Sequence, residues 1–257
     1  MTHWFAYTIA ASSLVGLACW LLEAGAWRRG WGTRRAWLAG MFGAVCMPLL
    51  AWNGLAGVWP GGLLETVRPA SLGLVGEALG AAPALPSGLL ASAWLAASAV
   101  LFLSLAAGLA AGAWRTRRWR ETMLDGTPVR VSESVGPAVV GVLRPTIVVP
   151  RWVLGAPAAE RAMILRHESE HVRAGDPRLL LVGRVLVALM PWNLPLWWMA
   201  RRLRLAVEVD CDRRVLRHAR PDVRAYGALL LTVGRHRPGW VGALAGLARP
   251  RSMLEHR

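Results

Sequence analysis

His167-Glu168-Ser169-Glu170-His171 is the stretch on which the reading of this chain turns. It reads H-E-x-x-H inside a segment with helical spacing of apolar residues. Positions four apart on a helix differ by only about 40° of rotation, so both imidazoles project from one face. That spacing suits one Zn²⁺, with Glu168 beside it as general base. Pro157 suits the first turn of such a helix, Gly175 the position after its end, and Pro177 blocks its continuation. Met163, Ile164, His167 and His171 fall along adjoining parts of one face.

A catalytic zinc usually has three protein ligands and an open position. A metzincin needs a histidine six residues after His171, and that position is Pro177. A gluzincin takes a glutamate from a later helix. Glu208 is the best candidate, and Asp212, four residues on, shares its helix face. Glu208 would bind the metal while Asp212 accepts the free N–H of a zinc histidine, which sets the tautomer. Asp176 has a second reading, as the cap of the helix that follows. Zinc would acidify a water and polarise a carbonyl; Glu168 would take the proton and return it to the leaving amine. His218, Tyr226 and His236 stand as unranked candidates for a further donor. Glu170 is expected to face away from the metal.

Working outward, the 257 residues are 55% hydrophobic, with a mean hydropathy of +0.38 that is high for a soluble domain. Every one of the 30 basic residues is arginine. Residues 114–257 hold 25 of them against 12 acids; residues 1–113 hold 5 against 3. The net charge of +15 raises the possibility of nucleic acid, but no helix-turn-helix, RRM or Cys/His finger pattern is present, so no direct nucleic-acid binding is expected. Arginine beside apolar spans points to anionic lipid headgroups and membrane topology. Cys19, Cys46 and Cys211 are too scattered for a disulfide scaffold and read as small buried hydrophobes. His3, His218, His236 and His256 read as interfacial or surface residues.

Three apolar runs are long enough to cross a bilayer, which takes about 20 helical residues: 4–22, 36–59 and 89–113. Trp4, Trp20, Trp37, Trp59 and Trp114 lie near their ends, as interface tryptophans do. Arg28, Arg29, Arg34 and Arg35 follow the first run, and Arg115, Arg117, Arg118 and Arg120 follow the third. The positive-inside rule then puts the N-terminus outside and residues from 115 onward in the cytoplasm. The first run lacks the basic start of a signal peptide and is expected to stay as a span. The expected organisation is residues 1–114 as three transmembrane helices with an external loop at about 60–88, and 115–257 as a catalytic domain. Within the latter, 179–199 is apolar but interrupted by Arg184, Pro191 and Pro195. It reads as a fourth span, a re-entrant hairpin or a buried helix pair. Short strands are expected at 129–131, 138–142 and 146–149, and helices over 200–219 and around 226–233. The fold class is a mainly α membrane protein carrying a small α+β zincin domain.

Several motifs, in order, resemble the bacterial membrane metallopeptidases of the Bla regulator type, the β-lactam sensor and antirepressor proteases. Gly136 to Pro150 resembles the family's strand pair. His167 to His171 with Asp176 resembles its H-E-x-x-H-x-x-x-x-D. Pro191-Trp192-Asn193-Leu194-Pro195 resembles its aromatic-Asn-Pro segment, Glu208-Val209-Asp210-Cys211-Asp212 its E-x-x-C-D, and Ala225-Tyr226-Gly227 its Tyr-containing helix. The likeness covers about residues 90–257. It implies a gluzincin with one catalytic zinc, held in the bacterial inner membrane and facing the cytoplasm. It also implies cleavage of a protein partner, typically a winged-helix repressor, after an outside signal. The strand pair offers an edge for an extended substrate. Sensor members carry a further span and a penicillin-binding domain. This chain stops at Arg257 and contains no S-x-x-K motif, so the expectation is a member without that sensor, signalled by the 60–88 loop, another protein or the membrane. A homodimer is left open. Two other functions compete: a membrane quality-control gluzincin with broad substrates, and a non-enzymatic membrane signalling scaffold.

Overall fold

The computed structural model describes residues 2–52, 87–133, 135–219 and 222–235. The elements are α1 (Thr2–Arg29), α2 (Arg34–Trp52), α3 (Ser87–Arg118), β1 (Arg120–Leu124), β2 (Thr127–Ser132), β3 (Ala138–Val140), β4 (Thr146–Pro150), α4 (Arg151–Leu154), α5 (Ala158–Ala174), α6 (Asp176–Leu189), α7 (Leu194–Ala219) and α8 (Val223–Arg235). The protein is mostly helical with one small sheet. It divides into two compact units: Met1–Phe102 with Gly183–Leu203, and Leu103–Val182 with Arg204–Arg257.

In the first unit, α1 packs on α2. Gly40 permits this closeness, because a Cβ there would collide with Cys19 Sγ. Pro48 inside α2 cannot donate to the carbonyl of Ala44. The Ser12 hydroxyl of α1 donates to that carbonyl instead, at 3.4 Å, and itself accepts the Asn193 side-chain N–H at 2.8 Å. Asn193 also caps α7, its Oδ1 accepting the Leu196 N–H at 3.3 Å. Residues 179–199 therefore form the end of α6 and the start of α7, joined by a short break at Asn193. Glu23 is buried on α1, where Arg202 pairs with it and the Thr33 hydroxyl donates to it. Among the described residues, two helices are long and apolar enough to cross a membrane, Trp4–Ala26 and Gly88–Arg118. The second expected run is helical through Trp52; its remainder, and the loop at 60–86, lie outside the described residues.

The second unit is built on a four-stranded sheet in the order β1-β2-β4-β3. β1 and β2 form an antiparallel hairpin closed by Asp125-Gly126, with φ of 46° and 77°. This is a two-residue turn whose positive φ values suit the strand twist. β1 was not among the expected strands: its Arg-Glu-Thr-Met-Leu sequence has too little apolar alternation to stand out. β2 runs parallel to β4, and β3 antiparallel to it. The strand expected at 138–142 stops at Val140, because Gly141 turns the chain out of the sheet at φ 95°, where a Cβ would meet the Arg144 carbonyl oxygen at 2.7 Å. Ile147 and Val149 of central β4 are buried with Val129, Val153, Ile164, Leu165 and Leu229. Burying side chains of this size contributes about 1.5–3 kcal/mol each, and this apolar cluster seats α5 on β3 and β4.

α5 begins and ends where its sequence dictates. Pro157 is the N-cap, at φ −53°, and Gly175 closes the C-terminus in the left-handed region, its N–H reaching the His171 and Val172 carbonyls. Pro177 then lies in the first turn of α6, where its missing N–H costs nothing.

Candidate metal centre

α5 places His167 and His171 on one face, with their Nε2 atoms 3.1 Å apart. α7 brings Glu208 to the same point, its Oε2 3.8 Å from each Nε2. A position between the three atoms is about 2.1 Å from all of them, the length of a zinc–nitrogen or zinc–oxygen bond.

What holds each imidazole from behind sets its tautomer. His171 Nδ1 donates to Asp176 Oδ2 at 2.8 Å. Only five residues separate the two. The left-handed Gly175 lets the chain reverse, so that the first residue of α6 swings back beside the last turn of α5. His167 Nδ1 donates at 2.8 Å to the Tyr226 hydroxyl of α8, and that hydroxyl donates to Asp212 Oδ1 at 3.0 Å. The direct bond expected between a histidine and Asp212 is thus replaced by a relay: Asp212 Oδ1 is 3.4 Å from His167 Nδ1, beyond good hydrogen-bond length. Tyr226, one of the unranked donors, is committed behind the His167 ring. His218, His236 and His256 fall where no side chain is described.

With both Nδ1 atoms carrying protons, both Nε2 lone pairs point at one another and at a carboxylate. Without a proton or a cation between them these groups repel. The donor set, two neutral imidazoles and one carboxylate, fits a catalytic zinc or a similar divalent ion.

Glu168 is buried, and its charge acts on both His171 and Cys211. Glu170, expected to face away from the metal, is buried among Arg166, Arg173 and Arg214 at 3.6, 3.2 and 3.4 Å. Arg214 also reaches Asp176 Oδ2 at 3.1 Å. This arginine ties the carboxylate behind His171 to a second buried acid, a link that no spacing in the sequence announces.

The sequence model of the BlaR1 peptidase M56 family matches residues 87–257, more than half of the chain. The chain belongs to that family. No curated protein matches it. As a BlaR1 peptidase M56 member with two membrane-length apolar helices, it is a membrane protein of a metallopeptidase family, and a peptidase implies a protein substrate.

Within this M56 site a second donor competes with Glu208. His167, His171 and Cys211 also group as possible metal ligands, each offering one atom within 4.8 Å of the others. Cys211 Sγ donates to the His167 carbonyl at 3.4 Å and lies 3.8 Å from Nδ1, the side of the ring that already holds Tyr226. Burial pushes the Cys211 thiol up, against the thiolate that a metal requires. Glu208, facing both Nε2 atoms, is the better placed of the two. Burial of His171 works against its positive form, but the Asp176 bond, with Cys211 and Glu168, outweighs it and holds the metal-free imidazole up at about 10.

Proposed function

We propose that this chain is a membrane-embedded, zinc-dependent endopeptidase of the gluzincin type that cleaves a cytoplasmic protein, such as a winged-helix repressor, in response to a signal. The observation that carries the reading is the convergence of His167 Nε2, His171 Nε2 and Glu208 Oε2 within 3.1–3.8 Å. Bound there, zinc would supply a Lewis acid for the scissile carbonyl and an acidified water. The remaining chemistry belongs to the chain. His167, His171 and Glu208 hold the ion. Glu168 takes a proton from the attacking water and delivers it to the leaving amine. Asp176 orients His171, while Asp212 acts on His167 through Tyr226. The sheet edge at β3 offers backbone groups to an extended substrate. The asymmetry of charge, with 25 arginines in residues 114–257, supports a catalytic unit on the cytoplasmic side of a bacterial inner membrane.

The experiment is metal analysis of the purified protein combined with cleavage of a candidate repressor. Stoichiometric zinc, cleavage by wild type, and none by Glu168→Gln is the expected pattern. A protein without zinc whose phenotype survives Glu168→Gln would make it a signalling scaffold.

A further inference from the structure

The two imidazoles are held by unlike devices. His171 has a buried carboxylate at 2.8 Å, from Asp176, the second residue after the end of its own helix. His167 has a neutral phenol at 2.8 Å, and that phenol comes from α8, 59 residues away in sequence. α8 is amphipathic. Tyr226 and Leu229 are its buried residues that pack under α5 and α7, Tyr226 with Cys211 and Val215, and Leu229 with the sheet core. The phenol is therefore in place only while α8 is docked.

We propose that Tyr226 is a positioning residue that makes retention of the metal depend on the docking of α8. The inference rests on the zinc peptidase reading above. A phenol accepting from Nδ1 is a weaker partner than a carboxylate, since charged acceptors form bonds about twice as strong. Asp212 offsets part of the difference by accepting the phenol proton at 3.0 Å, which increases the electron density on the oxygen that faces His167. When the relay is intact, the Nδ1 proton stays put and the Nε2 lone pair is aimed at the ion. When α8 lifts away, His167 Nδ1 loses its 2.8 Å phenol partner and is left facing Asp212 Oδ1 at 3.4 Å and Cys211 Sγ at 3.8 Å, a looser hold on tautomer and ring orientation, while His171 keeps its own carboxylate. The site is then left with one well-oriented histidine, and the ion leaves more readily. A partner or signal that engages α8 would thereby act on the metal without touching it.

The test is the rate at which a chelator strips zinc from the full-length protein, measured for wild type, Tyr226→Phe, Asp212→Asn and the double variant. Tyr226→Phe removes one oxygen and keeps the ring packed against Cys211 and Val215. The expected result is zinc bound at wild-type stoichiometry but released about tenfold faster, in the range for loss of an outer-shell partner. Loss of two buried hydrogen bonds should lower the melting temperature of the metal-free protein, but release measured well below that transition should still be faster, which a merely structural role would not produce. Because the two residues act in series, adding Asp212→Asn to Tyr226→Phe should change the rate little further. Should Tyr226→Phe fail to fold, Asp212→Asn alone must still speed release. Wild-type release by Tyr226→Phe, effects of the two variants that multiply, or a loss of turnover with zinc held as tightly as before would each overturn the relay. Zinc absent from wild type would instead sink the peptidase reading beneath it, so the two failures are distinguishable.

Discussion

Asp176 accepts its 2.8 Å hydrogen bond from His171 across the end of one helix and the start of the next. Gly175 makes this geometry available at φ 68°. No neighbouring atom crowds a Cβ at that position, so the demand for glycine is one of backbone conformation alone. Gly175→Ala should cost about 1 kcal/mol of stability from the left-handed backbone, read from denaturant unfolding. Asp176→Asn leaves the backbone untouched and should weaken zinc binding by roughly 10- to 100-fold. Equal zinc affinity in Asp176→Asn and wild type would remove Asp176 from the site.

Glu208 and Cys211 make opposite predictions as third ligand. Glu208→Ala should abolish stoichiometric zinc, while Cys211→Ser should retain it. Metal analysis of the two purified variants decides the point, and the reverse result would hand the third position to the thiolate.

His171 supplies a pH dependence. Its metal-free imidazole is held up at about 10, against an ordinary 6.5. A raised folded value means the proton stabilises the metal-free fold fully below about 6.5, and that this contribution is lost as pH rises toward 10. Zinc requires the neutral ring, so binding must expel the proton. Apparent zinc affinity should therefore rise about tenfold per pH unit between 7 and 9. Chelator competition across that window checks it. A flat profile would mean the ring is already neutral.

Arg161, on the first turns of α5, grips Asp125 in the β1–β2 turn with two bonds at 3.1 and 3.0 Å. The hydrogen bond from Arg161 holds the Asp125 carboxyl below its ordinary value. A depressed folded value contributes stability above the unfolded carboxylate range, and that stability disappears as pH falls through the lower folded value. Asp125→Asn tolerates the positive φ of 46°, so it isolates the charge. Its melting temperature should lie below wild type at neutral pH and converge with it in acid. Curves that stay parallel across pH would show the pair contributes nothing.

Local chemistry made much of this protein legible. Pro157 and Gly175 bracket α5 because one cannot donate an N–H and the other alone adopts a left-handed φ without strain. The H-E-x-x-H spacing puts two imidazoles on one face through helix geometry, and the Gly136 to Pro150 motif, the Glu208-x-x-Cys211-Asp212 segment and the Tyr226 helix carried the resemblance to the family that the match confirms. The apolar runs at 4–22 and 89–113 announce α1 and α3 because membrane-length helices leave a compositional trace that needs no partner.

Other features exist only once distant segments meet. β1 carries little apolar alternation and is defined by its pairing with β2 across the Asp125-Gly126 turn. Asn193 looked like part of an interrupted apolar run, yet it caps α7 and holds Ser12, 181 residues away. Glu170 read as a residue turned from the metal, and packing made it a buried acid among three arginines. Above all, Asp212 and Tyr226 share no motif spacing that tells which of them touches His167. Sequence by itself settled what depends on one helix turn: the histidine pair, its caps and the identity of the family. Tertiary structure alone decided which side chain from α6, α7 or α8 stands behind each imidazole, because hydrogen-bond distance is a property of packed elements and not of residue order.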